Sequence, residues 1–295
     1  MSNIEPLPYP EYKSLAENYS KQADFLVKFW GVRGLIPTPG EETNLYGGNT
    51  ACVEMQVGGK NLIFDGGTGL RVLGKSWLQQ QQQLVAHLFF TNAQTNRIQG
   101  FPFFAPAFAP QNCLHIYGTA ASNGASIKQT LCDQMLLPHF PYPLQAMQSQ
   151  LQFNNLTPDK VVAIDDVTVQ MALINNIQKS IGYRITWKEY SVAYITDLQS
   201  EIDDLEKDLI ELTQGVDLLI ANPSYITSDR DSQTPIDSYW KIAVNLARKT
   251  GVKKLVFSNH HPNDRDDFLD KLKVALKSDF SKAFLAHEGM VISIN

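Results

Sequence analysis

Three segments of the sequence end in side chains that bind metal ions or transfer protons. Asp65 follows the apolar run NLIF, Asp197 follows SVAYIT, and the adjacent His260 and His261 follow LVFSN. Carboxylates and imidazoles are preferred ligands of zinc-type ions and also act as general bases. If the three runs are strands that end at one edge of a fold, the four side chains would form one site. Taken singly, an aspartate at a strand end is usually a turn residue, and a lone histidine is more often a surface or packing residue.

A fourth segment lies where a catalytic loop is expected but carries different chemistry. The segment TNAQTNRIQGFPFF, residues 91–104, follows the apolar run LVAHLFF, and loops at the ends of buried strands often carry catalytic residues. It offers the amides of Asn92, Gln94 and Asn96, some hydroxyls, and the guanidinium of Arg97. An amide is a weak metal ligand and an arginine does not lose its proton. The loop therefore supplies neither a strong metal ligand nor a general base.

The elements around these residues indicate an α/β fold. Short apolar strands with glycine-rich turns run from Phe25 onward, and the pair Gly58–Gly59 between two of them is typical of a hairpin. Helices follow several strands, one of them with Ser122 or Asn123 as its predicted N-cap. The second half repeats this arrangement of strands and helices. The pattern favours two sheets packed together with helices outside.

Composition narrows the classes of protein. The net charge of −5 and the pI of about 5.7 make general binding to nucleic acid or anionic lipid unfavourable. No run is apolar enough for a membrane helix, and the start lacks the features of a signal peptide. The cysteines at 52, 113 and 132 are odd in number and widely spaced, which favours a reducing, cytoplasmic location. We predict an N-terminal extension at 1–24 and one domain at 25–295.

Several motifs in order along the chain resemble those of the metallo-β-lactamase-fold hydrolases, in their phosphodiesterase-like branch. The resemblance begins at Phe29 and extends to the C terminus. It rests on the segments FWGVRGLIPTPGEETNLYGGNTACVEMQVGGKNLIFDGGTGLRVLG, HLFFTNAQTNRIQGFPFF, IGYRITWKEYSVAYITD, VDLLIANPSY, VNLARKTGVKKLVF and NHHPNDRDDFLD. It implies an αββα sandwich of two mixed sheets with outer helices, and a site at the shared edge of the sheets.

The resemblance also implies which residues would bind metal. Active members carry an HTHWDH motif whose side chains hold a pair of zinc, manganese or iron ions. In this sequence the metal-binding positions of that motif, and of a later histidine motif, fall on Asn92, Gln94, Asn96, Arg97 and Asn176. Asp197 stays a matching ligand, and His260 or His261 supplies the last one. A further family histidine falls on Asp237.

These replacements lead to two hypotheses about function. The leading one is a pseudoenzyme with no metal cofactor, which acts by binding a protein partner or a small ligand as a scaffold, assembly factor or regulator. The alternative is a metal-dependent hydrolase or phosphodiesterase with a rearranged site around Asp65, Asp197, His260 and His261. The partner is not identifiable from the sequence. Nucleic acid is not expected, and a homodimer is an option because relatives often pair through a sandwich edge.

We expect the Arg97 guanidinium to occupy the former metal space and to pair with Asp197, with Asn92 and Asn176 as further hydrogen-bond partners. The alternative for Arg97 is an exposed position at a helix start. Asp65 and Asp237 are candidate ligand or partner contacts. The same holds for the phenylalanines of the segment FPFFAPAFAP, for which core packing, partner contact and a ligand wall all remain open: Phe101, Phe103, Phe104 and Phe108.

Overall fold

Two seven-stranded mixed sheets form the centre of the molecule. The structure is a computed structural model, and it describes residues 24–78, 83–157, 160–175, 179–198, 207–223 and 238–295. In the first sheet the strands run in the order β14-β1-β2-β3-β4-β5-β6 and in the second in the order β13-β12-β11-β10-β9-β8-β7. The strands of the first sheet are β1 (Phe25–Gly31), β2 (Cys52–Val57), β3 (Lys60–Phe64), β4 (Val85–Phe89), β5 (Cys113–Gly118), β6 (Gln150–Asn155) and β14 (Val291–Ser293). Those of the second are β7 (Val161–Ile164), β8 (Val167–Asn175), β9 (Ser180–Trp187), β10 (Tyr190–Leu198), β11 (Leu218–Pro223), β12 (Leu255–Phe257) and β13 (Ala283–Leu285).

Helices cover the outer faces of both sheets. The α-helices in the described part of the chain are α1 (Gly69–Leu78), α2 (Thr95–Ile98), α3 (Ile127–Asp133), α4 (Lys207–Thr213), α5 (Ser238–Lys249) and α6 (Asp266–Asp279), and short 3₁₀-helices lie at Glu41–Thr43, Phe101–Phe103, Ala105–Phe108 and Leu144–Ala146. One apolar core lies between the sheets, a second holds α1 and α3 against the first sheet, and a third holds α4, α5 and α6 against the second. This layering is the predicted αββα sandwich, because each sheet buries one face on the other sheet and one under helices.

Local sequence explains how the first strands are arranged. Gly58 and Gly59 both have positive φ, 55° and 74°, which is the conformation that a two-residue hairpin turn needs, and β2 pairs antiparallel with β3 as predicted. Strands β3, β4, β5 and β6 are then parallel, with Phe64 opposite Phe89. Parallel strands end at the same edge, so the residues that follow β3 and β4 lie next to each other.

Three features differ from the sequence-based expectation or lie beyond it. The N-cap of α3 is Ser126, whose side chain accepts a hydrogen bond from the Gln129 amide, and not Ser122 or Asn123. Strands β6 and β13 were not predicted. The predicted extension lies almost wholly outside the described residues, so its separation from the domain stays a prediction. Within the described ranges, no helix has the length and apolar character to cross a membrane.

Candidate functional site

The candidate site is a buried ion cluster at the edge where the two sheets meet. Asp65 follows β3 of the first sheet, Asp197 lies at the end of β10 of the second, and Arg97 lies in the short helix α2 between them. Arg97 is 1% exposed, and the side chains of Asp65 and Asp197 are 0% and 8% exposed. Three charged groups are thus removed from water together, which is favourable only if they compensate one another.

Arg97 bridges the two carboxylates. Its Nη1 donates to Asp65 Oδ2 at 3.0 Å, and its Nη2 donates to Asp197 Oδ1 at 3.2 Å. Burial alone would lower the pKa of Arg97, but Asp197 and Asp65 outweigh that effect and raise it above the usual value, so the guanidinium stays charged. The expected pairing of Arg97 with Asp197 is confirmed, and the alternative of an exposed arginine is wrong. The pairing with Asp65 was not expected.

Hydroxyl groups satisfy the remaining oxygens of Asp65. Thr91 donates to Oδ1 from its backbone amide and from its hydroxyl, both at 2.8 Å, and the Tyr194 hydroxyl donates to Oδ2 at 2.9 Å. Burial raises the pKa of the Asp65 carboxyl above its usual value, although Arg97 and the bonds from Thr91 and Tyr194 act in the opposite direction. Asp65 is buried among these donors, and its contact with a ligand or partner stays a prediction.

Asp197 is held by donors from two neighbouring strands and the loop after β4. The Asn92 amide and the Ser180 hydroxyl each donate to Asp197 Oδ2 at 3.1 Å, and Asn92 also donates to Ser180 at 2.9 Å. We expected Asn92 to hydrogen-bond Arg97. Its amide instead donates to the carboxylate of Asp197. The Asn175 amide donates to the backbone carbonyl of Asp197 at 3.2 Å. Hydroxyls and amides with no special spacing in the sequence complete the cluster.

Glycines allow the two loops that carry the cluster to touch backbone to backbone. The Gly66 amide donates to the Arg97 carbonyl at 2.6 Å, and the Gly100 amide donates to the Gly66 carbonyl at 2.8 Å. A Cβ atom on Gly100 would lie 1.9 Å from the carbonyl oxygen of Gly67. Only glycine fits there, so the sequence FDGG…IQG fixes Arg97 beside Asp65.

His260 and His261 have contacts of their own. The Nε2 of His260 lies 2.7 Å from the Ala286 carbonyl, so this nitrogen is a donor, and its ring packs edge-on against Tyr46. The Nδ1 of His261 accepts from the Asn263 amide at 3.2 Å. Within the described ranges no three His, Cys, Asp or Glu side chains form a group that could hold a metal ion. The rearranged metal site around Asp65, Asp197, His260 and His261 stays a prediction of the alternative hypothesis.

Of the other predicted positions, some lie in the core, some lie partly or largely exposed at the surface, and two lie outside the described residues. Asn96 is buried beside Arg97, and Gln94 is half-buried just before α2. Phe101 and Phe104 are fully buried under α1, so as core residues they cannot contact a partner. Phe108 is half-buried against the same core, while Phe103 is 55% exposed. Asn176 and Asp237 lie outside the described residues.

The fold and its edge cluster define the class of protein, and comparison with known proteins gives the family. A family model described as "Beta-lactamase superfamily domain" matches residues 60–260, more than half of the chain. The chain belongs to this superfamily, and its sandwich is the metallo-β-lactamase fold. A search of curated protein sequences finds no significant match.

Solved structures with the same fold cover nearly the whole chain at low sequence identity. The metallo-β-lactamase fold protein YhfI from Bacillus subtilis is 19% identical with a TM-score of 0.62, covering 92% of this chain and 99% of its own. The short form of human tRNase Z is 17% identical with a TM-score of 0.60, at 92% and 99% coverage. Zn²⁺-bound PqqB from Methylobacterium extorquens is 11% identical with a TM-score of 0.65, at 91% and 99% coverage. These likenesses establish the fold alone.

The superfamily implies a metal site, and the residues here do not fit one. A cationic guanidinium lies between the two carboxylates that could have bound a divalent ion. The side chains around them are hydroxyls and amides, which compete poorly with water for zinc-type ions. Adding a divalent cation next to Arg97 would bring like charges together in a buried space, which is unfavourable.

Proposed function

We propose that this chain is a pseudoenzyme of the metallo-β-lactamase superfamily, which has lost metal-dependent hydrolysis and acts by binding a protein partner. The observation that carries the proposal is the bidentate position of Arg97 between Asp65 and Asp197. A metal ion in that place would activate a water molecule, and a guanidinium does not, because it has no open coordination position and holds its proton.

The remaining groups of the site do not supply a substitute mechanism. Asp65 is enclosed by Arg97, Thr91 and Tyr194, so no substrate or water is adjacent to its oxygens on those sides. Asn96 is an amide and has no basic lone pair that could accept a proton from water. The hydrolase alternative would need Asp65 and Asp197 to release Arg97, at the cost of leaving a buried cation unpaired.

Metal content and hydrolytic activity test the proposal together. Untagged protein would be dialysed against zinc or manganese and analysed by elemental mass spectrometry, then assayed with bis-p-nitrophenyl phosphate. We expect less than about 0.1 metal ion per chain and no hydrolysis above buffer. One or two tightly bound ions per chain, with activity that a chelator abolishes, would establish the hydrolase alternative instead.

A binding role is supported by an exposed apolar surface beside the site loop. The Phe103 ring, 55% exposed, packs edge-on against Phe140 with ring centres 5.5 Å apart. Next to Phe140 in the chain, Leu137 is 77% exposed and Tyr142 is 61% exposed. Phe103 and Phe140 are in contact, and Leu137 and Tyr142 are exposed neighbours of Phe140 along the chain. Exposed apolar groups are costly in water when they form a patch, and such patches are typical of protein contacts. We call this set of three aromatic residues and one leucine, Phe103, Phe140, Tyr142 and Leu137, the aromatic rim.

Crosslinking from the aromatic rim tests the protein-partner part. A photoreactive phenylalanine analogue at Leu137 should give one dominant crosslinked protein in cells, and Phe103→Ser should abolish it. The matched control is the same analogue at Val274, an exposed apolar residue on α6 that is 72% exposed. Equal crosslinking from both positions would mean that the aromatic rim is no specific contact.

Three related expectations belong to the same proposal. The net charge of −5 favours a protein partner over nucleic acid. Cys52, Cys113 and Cys132 are all free thiols, which supports a reducing location such as the cytoplasm. A homodimer through a sandwich edge remains an option, and sedimentation of the purified chain would decide it.

A further inference from the structure

We infer that Arg97 is an internal cation ligand: its guanidinium fills a cation-binding site formed by Asp65 and Asp197, and it takes the place of a metal ion in joining the two sheets at this edge. The inference concerns the site of the proposed function and rests on that proposal in one respect, that the native chain binds no metal there. It adds that removing the Arg97 side chain would leave a site able to bind an added cation.

The bridging geometry supports this role. Asp65 comes from the first sheet and Asp197 from the second, and each accepts from a different terminal nitrogen of the same guanidinium, at 3.0 and 3.2 Å. Arg97 Nε has no hydrogen-bond partner among the described residues. The charged end of Arg97 is thus committed to the two carboxylates, and through them it links the sheets.

The carboxylates are oriented independently of Arg97. Asp65 is held by three hydrogen bonds from Thr91 and Tyr194, and Asp197 by bonds from Asn92 and Ser180. A variant without the Arg97 side chain would keep these donors, so both carboxylates should still face the vacated space. A pre-oriented pair of buried carboxylates with no cation is an uncompensated charge, and it should attract any cation small enough to enter.

The donor atoms determine which cations would bind. The groups at this site offer oxygen ligands, from the carboxylates of Asp65 and Asp197 and from the hydroxyls that contact them, on Thr91, Ser180 and Tyr194. Oxygen ligands suit hard divalent cations such as Mn²⁺ more than soft ones. The free guanidinium ion is the second suitable probe, because it reproduces the planar group that Arg97 places there.

The experiment compares Arg97→Ala with Arg33→Ala. Arg33 is also fully buried, but its Nε and Nη1 donate to the backbone carbonyls of Gly47 and Asp264, both at 2.6 Å. We expect Arg97→Ala to lower the Tm by roughly 6–15 °C. Millimolar Mn²⁺, or guanidinium at about 20 mM, should then recover at least about 3 °C. Neither probe should raise the Tm of the wild type or of Arg33→Ala.

The inference is overturned if Arg97→Ala is as stable as the wild type, or if neither probe raises its Tm above the gain seen in Arg33→Ala. If Arg97→Ala does not fold, the variants Arg97→Ala/Asp197→Asn and Asp65→Asn/Arg97→Ala/Asp197→Asn replace it. The first variant removes one of the two uncompensated carboxylate charges and the second removes both. The yield of soluble, folded protein should rise from Arg97→Ala to the first variant and again to the second. Failure to restore it would also overturn the inference. The proposed function is tested on wild-type protein and survives either result.

Discussion

Asp65 and Asp197 end strands of opposite sheets with almost the same left-handed backbone, φ 62° and 61°. Residues other than glycine adopt this conformation rarely, and it persists where the surroundings fix it. Here the fixed points are hydrogen bonds from the loop after β4, made by Thr91 to Asp65 and by Asn92 to Asp197, together with those from Arg97. The turn at each strand end therefore aims a carboxylate at the same guanidinium.

The hydroxyl of Tyr194 should contribute more to stability than that of Tyr183. Tyr194 donates to the carboxylate of Asp65 at 2.9 Å, whereas Tyr183 donates to the neutral carbonyl of Phe90 at 2.6 Å, and both rings are fully buried. Hydrogen bonds to charged groups contribute more, so we expect Tyr194→Phe to lower the free energy of unfolding by about 2–3 kcal/mol and Tyr183→Phe by about 1. Urea denaturation measures both. A larger loss for Tyr183→Phe would contradict an ionised Asp65.

Gly100 should not tolerate even one methyl group. Its Cβ would collide with the backbone carbonyl of Gly67, and relief of the collision would move Arg97 away from Asp65. We expect Gly100→Ala to lower the free energy of unfolding by about 3 kcal/mol or more. Gly40 is the control, because it has extended backbone, φ 164°, with nothing within 4 Å of its added Cβ. Gly40→Ala should change stability by less than about 0.5 kcal/mol. Equal effects would show that the close loop contact is not tight in solution.

A buried carboxylate beneath α1 gives a separate prediction with an optical readout. Glu54 accepts from the indole nitrogens of Trp30 at 2.7 Å and Trp77 at 3.1 Å, and from the Gln56 amide at 2.8 Å. Glu54→Leu removes both carboxylate oxygens and so all three hydrogen bonds, and it should lower the free energy of unfolding by about 3 kcal/mol. Glu54→Gln keeps one accepting oxygen and should lower it by about half as much. Tryptophan fluorescence during urea unfolding reports both. The idea fails if Glu54→Leu is the more stable of the two.

Stability should decrease in mild acid because of His87. Its ring stacks on His115 with centres 4.6 Å apart, its Nδ1 lies 3.2 Å from the Tyr117 hydroxyl, and Lys60 and Asp165 are the nearby charges. Burial, helped by His115 and Lys60, lowers the pKa of His87 to about 4.

An unfolded histidine has a pKa of about 6.5, so between pH 6.5 and 4 the unfolded chain binds a proton that folded His87 does not. The free energy of unfolding should therefore fall by about 2 kcal/mol as the pH decreases through this window, and His87→Gln should reduce that slope. Burial also lowers the pKa of His115, so a smaller slope should remain. Denaturant titrations at a series of pH values measure it, with pH 8 as the reference. If the pH dependence of the unfolding free energy is the same in His87→Gln, other titratable groups cause it.

Much of the fold follows from local patterns, and the exceptions have physical reasons. Alternating apolar runs and the Gly58–Gly59 turn are sufficient to predict the first sheet as far as β5. Strand β6 has the sequence QLQFNN, in which amide side chains obscure the alternation, and its residues are mostly half-exposed at a sheet edge. Strand β13 is three residues long and depends on its parallel neighbour β12. Such strands form because a neighbour supplies the hydrogen bonds, which no local window contains.

The site was predictable only in part. The family resemblance led to the expectation that Arg97 occupies the former metal space and pairs with Asp197, and the structure has this contact. The hydroxyls of Thr91, Ser180 and Tyr194 were not predicted, because single hydroxyl donors far apart in the sequence form no recognisable pattern. Whether the amide positions descend from metal ligands stays a prediction from the family resemblance.

Because a side chain makes the bridge between Asp65 and Asp197, folding does not have to wait for a separate ion to bind there. A metal ion is a separate reactant, so folding that needs one depends on its free concentration and competes with every other ligand in the cell. A side chain is synthesised with the chain, in a fixed ratio of one per molecule, and its local concentration does not fall on dilution. Refolding from denaturant should accordingly proceed at the same rate with and without a strong chelator. Folding that needs a metal ion would be slower with the chelator present.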